Sequence, residues 1–552
     1  MNPSYLCLSP REHEHIHQNP RTKPRLLSKI IGLACLLLAP LTAFAQLPTP
    51  TRGWNLGNTL EAIPNEGAWG PAATQNVINA VAAAGFNTVR IPCAWGAHSN
   101  QSTLQIDPTY LARVKQVVDW CYAKNLYVII NCHWDKGWLD YNIDPTLAPP
   151  DVVVDSDSRV TQKMNSYWTQ IANAFNGYDN KLLFAGANEP PAKSAAQMSK
   201  LLSYYQTFVN AVRATGGNNS SRWLVVQGPS TDIDLTDQLM NTLPNDSAAG
   251  RLAVEVHYYA PFQFCLMETD ASWGNMFYFW GQGYHSSTLA NRNSTWGEEA
   301  YLDAEFEKMR VKFISRGIPV IIGEFAAMKR STADYPDVSG TELLRHYASH
   351  TYFHQYTMDA AARKGLKPIY WDTPGGDFDW TTGAVGDPDN VRALTGGAAL
   401  PPPGGGGIVA NGIYKIVARH SGKALEVAGL GRTDGSNVQQ WGYWWGDSQK
   451  WTLMHLGNNQ YKIIGLQSGK ALDVSGGQSG NGANVQIWTY LGGGNQIWTI
   501  SATSGGYYRL TPTHAPSMCL DVDGSQWAND GANVQIWQYL GGTNQQWTFQ
   551  AP

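Results

Sequence analysis

Charged residues make up only 15% of this 552-residue chain, and no basic block or stripe appears past its N-terminal segment. With a formal net charge of −4, that absence argues against a nucleic-acid partner. Cysteine is scarce as well. Of the seven present, Cys7 and Cys35 lie in the N-terminal segment, which leaves Cys93, Cys121, Cys132, Cys265 and Cys519. An odd number means that at least one thiol is free or pairs between chains. No CxxC pair or His/Cys ligand spacing is present, so no structural zinc site is expected, and small buried apolar side chains are the expected role. Long apolar runs are also missing. The one candidate, "IIGLACLLLAPLTAF", is short for a membrane span and is broken by Pro40. Positive charge in "RTKPRLLSK" before it and Ala43-Phe44-Ala45 after it read instead as a secretion signal over residues 1–45. A secreted protein with no membrane partner is expected, and Cys35 fits a lipidation box poorly.

What is abundant is equally specific: 22 Trp, 26 Tyr and 55 Gly. So many flat rings in a polar, glycine-rich chain suit a protein that handles sugars, whose C–H faces stack on aromatics. The length requires more than one core. "LTGGAALPPPGGGG" reads as a linker near residues 396–407. Before it, over 46–395, apolar strand-like runs alternate with amphipathic stretches. The strand candidates are residues 53–58, 88–93, 127–133, 182–189, 223–229, 253–259, 319–325 and 367–372. In "YLARVKQVVDWCYAKN", Leu111, Val114, Val118 and Cys121 share a helical face, and "AAQMSKLLSYYQTFVNAVRATGG" closes on a Gly-Gly stop. Eight such alternations predict an α/β fold of the (β/α)8 TIM-barrel type. After the linker, over 408–552, "GKALEVAGLGRTDGSNVQQW", "GKALDVSGGQSGNGANVQIW" and "MCLDVDGSQWANDGANVQIW" repeat one another. Three β-rich units predict an all-β domain closed around a pseudo-threefold axis, each unit giving a Trp to a shared core.

Barrel catalytic groups sit at strand C-terminal ends. Those ends here carry Arg90, His133, Asn188 with Glu189, His257 with Tyr259, Glu324, and Trp371. Each alone is more often a structural residue; their convergence on one rim is the argument. Two facing carboxylates are what glycosidic cleavage needs, one protonated to donate to the leaving oxygen and one ionised to attack or to activate water. Arg90 nearby would keep one Glu ionised, and that charge would hold the other protonated.

The ordered motifs R-I-P, N-x-H, N-E-P, H-x-Y, G-E-F and Y-W-D resemble glycoside hydrolase family 5, and "GWNLGNTLEA" with "GAWGP" resemble its endo-β-1,4-glucanase and xyloglucanase branch. The resemblance implies Glu189 as acid/base, Glu324 as nucleophile, and Asn188 on the sugar 2-hydroxyl. It implies Arg90 and Tyr259 beside Glu324, His133 and His257 lining the −1 subsite, and Trp371 as its stacking floor. Trp134 departs from the branch, which often has a second His there. The C-terminal repeats resemble the ricin-type β-trefoil of carbohydrate-binding module family 13. That likeness implies one sugar pocket from Asp473, Gln486, Trp488, Asn495 and Gln496, and another from Asp521, Gln535, Trp537, Asn544 and Gln545. The first repeat departs, with Glu426 for the Asp and Ser448 for the Asn. Core packing is an equal alternative for the tryptophans of these third strands. The expected protein is a secreted, monomeric, retaining endo-β-1,4-glucanase without metal or organic cofactor, its trefoil tethered by the linker. Xyloglucanase, mixed-linkage glucanase and mannanase are alternatives on the same scaffold, and an inactive glycan-binding protein is the non-enzyme alternative.

Overall fold

The computed structural model describes Leu47, residues 51–397, Ala399, Pro402, residues 407–524 and residues 529–552. The expected secretion signal lies outside the described residues, as does most of the linker.

Eight strands close into a parallel barrel in chain order. They are β1 (Gly53–Leu56), β2 (Thr88–Ile91), β3 (Tyr127–Asn131), β4 (Leu182–Ala185), β5 (Leu224–Gln227), β6 (Leu252–Tyr258), β7 (Val320–Phe325) and β8 (Lys367–Asp372). They are apolar almost throughout because both faces are covered. Alternation splits the side chains: Val128 and Ile130 of β3 pack toward the helices, while Ile129 joins Leu183, Val225, Ala253, Ile321 and Ile369 inside the barrel. Helices form where the 3.6 period predicts them, at Pro108–Ala123 and Ala195–Ala214, capped by Asp107 and Ser194. The first buries Val114, Val118 and Cys121 and leaves Leu111 half-buried. The second ends ahead of Gly216, whose φ of 65° is open to glycine at little cost.

Six strands end short of their expected bounds, by one residue at β6, two at β1, β2, β3 and β5, and furthest at β4. β4 stops at Ala185, four residues short of Glu189. The ladder fails because Ala187 donates its N–H to the Gln227 side chain (2.9 Å) rather than to a main-chain carbonyl. Pro190 and Pro191 then have no N–H to offer. Asn188 and Glu189 therefore stand on the loop leaving the barrel. The five cysteines Cys93, Cys121, Cys132, Cys265 and Cys519 are all buried free thiols.

The C-terminal domain is an all-β unit whose three repeats superimpose chemically. Trp451, Trp498 and Trp547 are fully buried, and each donates its indole N–H to the carbonyl of Leu425, Leu472 or Leu520 at 2.9, 2.9 and 3.0 Å. Near the repeats' centre, Asn437, Asn484 and Asn533 close a ring of amide hydrogen bonds, each 2.9 Å long. This cyclic arrangement satisfies one donor and one acceptor of every member, as a threefold relation of the repeats allows.

The two domains touch. Leu344 and Ala348 of the barrel helix Gly340–Lys364 pack with Met454 and Leu456 of the trefoil. Lys462 of the trefoil forms an ion pair with buried Asp389 of the barrel domain. Beyond the expected tether of the linker, an apolar seam and a buried charge pair dock the trefoil against the barrel.

Candidate active site

The rim is built around Arg90, which β2 points into the barrel where the chain leaves it fully buried. One guanidinium nitrogen, Nη1, donates to Glu324 Oε1 and to Asn55 Oδ1, both at 3.0 Å. The other, Nη2, reaches Asn188 Oδ1 at 2.8 Å and Glu255 Oε1 at 3.0 Å. Tyr259 donates its hydroxyl to Glu324 Oε2 at 3.0 Å. His257 Nδ1 bonds Glu189 Oε1 at 2.7 Å and lies 3.7 Å from Glu324 Oε2, and its Nε2 meets Glu255 Oε1 at 3.2 Å. Asn131 contacts His133 Nδ1 at 3.2 Å, and the His133 ring lies nearly parallel to Trp371, 5.8 Å away with an interplanar angle of 11°. All eight residues read from the strand ends thus meet in one cluster.

Glu324 owes its aim to an irregularity. Ile321 faces the barrel interior, so strict alternation would turn Glu324 toward the helices. The register shifts on both sides of β7, between Val256 and His257 and between Ile322 and Phe325. Such shifts re-aim a side chain. Gly323 is part of the same device: a Cβ there would lie 1.9 Å from Glu255 Oε1. Gly323→Ala is therefore expected to displace Glu255 and lower kcat/KM by about 10²-fold, as ångström-scale misplacement does. Steady-state kinetics on the purified variant check this.

Sequence reasoning missed Glu255, along with Asn55, Asn131 and Gln227. Glu255 is 1% exposed and accepts from Arg90, His257 and Gln227 Nε2, the last at 2.7 Å. Strand parity could have found it, because it lies two residues before His257 and so on the same face.

The electrostatics follow from these contacts. Burial pushes the His257 imidazolium down, but the charge of Glu324 and the bonds to Glu189 and Glu255 outweigh it and lift its pKa to about 9. Burial pushes the Glu189 carboxyl up; its side chain is 48% exposed, so water weakens that push, and the His257 bond brings it below its ordinary value. Burial holds Glu324 above its ordinary value against the opposing charges of His257 and Arg90. Burial and the Arg90 charge keep His133 neutral. The expected order, with Arg90 ionising one Glu and that charge protonating the other, is thus not that of the free site. The three carboxylates around His257, at 2.7, 3.2 and 3.7 Å, favour its charged form.

Among the described residues, one group of three has donor atoms close enough for a metal: Glu189, His257 and Glu324, within 4.8 Å of one another. The same spacing puts one oxygen of each glutamate within reach of a single anomeric centre.

In the trefoil, Gln486 and Asn495 donate to the two oxygens of Asp473 at 3.0 and 2.7 Å. Gln535 and Asn544 repeat this at Asp521 with 3.1 and 2.9 Å. Trp488 is 38% exposed and Trp537 half-buried, so neither is a core residue. Gln496 and Gln545 differ from expectation. Both are 2% exposed, with the amide oxygen taken by the N–H of Leu491 or Leu540 and the nitrogen by the carbonyl of Thr489 or Gln538. They staple the turn, and each also bonds the aspartate of its own repeat.

Residues 50–376 match the family model described as cellulase (glycosyl hydrolase family 5). Residues 407–488, 447–537 and 494–552 match the ricin-type beta-trefoil lectin domain-like model. Endoglucanase A of Paenibacillus barcinonensis is 35% identical over 350 residues, 58% of this chain and 80% of that protein. A xyloglucan-specific endo-beta-1,4-glucanase of Bacteroides ovatus is 32% identical over 62% of this chain and 68% of its own length. Among solved structures, a xyloglucan-specific beta-1,4-glucanase from a ruminal metagenomic library, in complex with XXLG, is 41% identical with a TM-score of 0.55. It covers 62% of this chain and 92% of its own.

Proposed function

We propose, from the premise that this chain belongs to glycosyl hydrolase family 5 and is a retaining glycoside hydrolase, that it cuts β-1,4-glucan chains internally. The observation that carries the reading is the carboxylate pair: Glu189 and Glu324 offer oxygens within 4.8 Å of each other across the rim. Retaining chemistry needs carboxyl groups about 5–5.5 Å apart, too close for an interposed water.

In the first step Glu324 attacks the anomeric carbon, the glycosidic C–O bond breaks, and Glu189 gives its proton to the departing oxygen. In the second, water attacks the glycosyl-enzyme ester, Glu189 takes a proton from that water, and Glu324 leaves as a carboxylate. Arg90 and Tyr259 donate to the two oxygens of Glu324 and stabilise the charge it regains. Asn188, its Oδ1 engaged by Arg90, keeps its amide nitrogen for the sugar 2-hydroxyl. Trp371, backed by His133, offers a ring to the sugar face.

The proton for Glu189 has a source. A bound glycan removes water from the exposed flank of Glu189, which raises its pKa. The 2.7 Å bond from His257 Nδ1 is the path along which it receives the proton. Glu255 and Arg90 hold the imidazole in line. Glu255 is a positioning residue, acting on Glu189 through His257.

Two relatives named as xyloglucan-specific, one of them 41% identical, favour xyloglucan as a second reading of the substrate. Carboxymethylcellulose, xyloglucan, barley β-glucan and glucomannan, assayed for viscosity and reducing ends, separate the two. Rapid loss of viscosity on a β-1,4-glucan is expected; no cleavage of any of them would overturn the proposal.

The trefoil is proposed to hold glycan through the Asp473 and Asp521 sites, with export to the cell exterior giving it polysaccharide to meet. Changing both aspartates to Ala is expected to weaken retention on polysaccharide gels, while either change alone leaves part of it, as for two sites acting in concert.

A further inference from the structure

The turn after the third strand reads "YLGGGNQ" in the second repeat, "YLGGTNQ" in the third and "YWWGDSQ" in the first. In the second and third, the Asn side chain lies over a glycine and donates to the aspartate's second oxygen. A Cβ on Gly493 or Gly542 would meet that Asn Oδ1 at 2.6 or 2.5 Å. In the first repeat Ser448 is too short for this role. The Trp444 ring occupies the place instead: a Cβ on Gly446 would meet it at 2.1 Å. Trp444 Nε1 donates to Glu426 Oε2 at 3.0 Å, as the asparagines do to their acids. Gln439 serves the other oxygen of Glu426 at 3.3 Å. Gln449 Nε2 donates to the same Glu426 Oε2 at 2.7 Å, so the polar frame is rebuilt with an amide and an indole as donors.

Trp445 adds an independent observation. Its φ is 66°, where the other repeats carry Gly492 and Gly541 at 72° and 79°. A bulky L-residue is strained in that region, where its Cβ crowds the following carbonyl oxygen. At 72% exposed, Trp445 gains little burial in return. Trp444 and Trp441 are 45% and 39% exposed, and the rings of Tyr443 and Trp445 lie 5.6 Å apart. Strain retained without packing marks a position kept for what it touches.

We infer that the first repeat is a third glycan site of a different kind. The exposed rings of Trp441, Trp444 and Trp445 stack on the apolar faces of an extended β-linked glucan, whose equatorial hydroxyls leave those faces bare. The inference rests on the reading of the trefoil as glycan-binding and adds a ligand class to it. The occupant follows from the chemistry: three exposed indoles on one repeat offer flat apolar faces, which match the bare faces of a β-linked glucan.

The test is affinity electrophoresis of the full chain through native gels containing barley β-glucan. All proteins carry Glu324→Ala so that the gel is not cut, and cleft binding is common to them. Trp444→Leu with Trp445→Gly, the residues of the second repeat, is expected to raise the dissociation constant about tenfold. Trp445→Gly alone is expected to weaken binding while raising the melting temperature, because it removes strain; misfolding would lower both. Unchanged retention in the Trp444 and Trp445 variants overturns the inference. If Asp473→Ala with Asp521→Ala still weakens retention, the general reading of the trefoil survives that failure. If neither set moves retention, both readings fall.

Discussion

Glu324→Ala is expected to lose hydrolysis by about 10⁴-fold or more, because the residue supplies the bond that the mechanism passes through. The geometry also predicts how activity returns. Removing the carboxylate leaves a small anion site between Arg90 Nη1 and the Tyr259 hydroxyl, which now hold Glu324 at 3.0 Å each. Azide fits there and attacks an activated glycoside from the nucleophile's side, giving a glycosyl azide of inverted configuration. Glu189→Ala should behave differently. It still forms the glycosyl-enzyme from an activated glycoside, and azide then attacks that intermediate to give retained configuration. Product NMR distinguishes the two. Unchanged hydrolysis in either variant, or the same stereochemistry from both, would remove the assignment of roles.

Glu255→Gln is the second large effect, and its sign follows from charge. The carboxylate accepts from His257 Nε2 and from Arg90, and helps lift the His257 pKa to about 9. A neutral amide of the same shape disfavours the imidazolium, so the His257 pKa falls. The alkaline limb of kcat/KM, which reports the free enzyme, is then expected to move from near pH 9 toward neutrality. At alkaline pH the rate should drop about 10²-fold through loss of acid catalysis. Stability moves in the same window. Because the folded pKa lies above the unfolded 6.5, the imidazolium's contribution is full below pH 6.5 and is lost as pH rises through about 9. In the variant the contribution is smaller and its loss is complete at lower pH. The pH profile is the decisive readout: a merely structural role would lower activity at every pH and leave the limb in place.

Much of this was legible in order along the chain. Apolar runs punctuated by helical periods carry the barrel, because buried parallel strands and amphipathic helices leave local signatures. The facing carboxylates were legible because the fold restricts functional groups to strand ends, so "GANEPP" and "IIGEF" could be paired without knowing their distance. The trefoil's Leu and Trp spacing likewise exposes its core, since each repeat must contribute alike. Glu255 was hidden inside "AVEVHYY", where one polar residue among apolar neighbours carries no sign of what it faces.

By itself the sequence determined the two folds, the carboxylate pair and the threefold core, all of which follow from local periodicity and repetition. Only the tertiary structure decided which groups surround His257, how the trefoil docks, and which groups stand in for the missing asparagine. Those depend on through-space meetings. Arg90 and Glu324 are 234 residues apart, Lys462 and Asp389 are 73, and Trp444 reaches Glu426 across 18. Local pattern reports what a backbone segment prefers. The charge and hydrogen bonding of a buried group depend on which distant segments close around it.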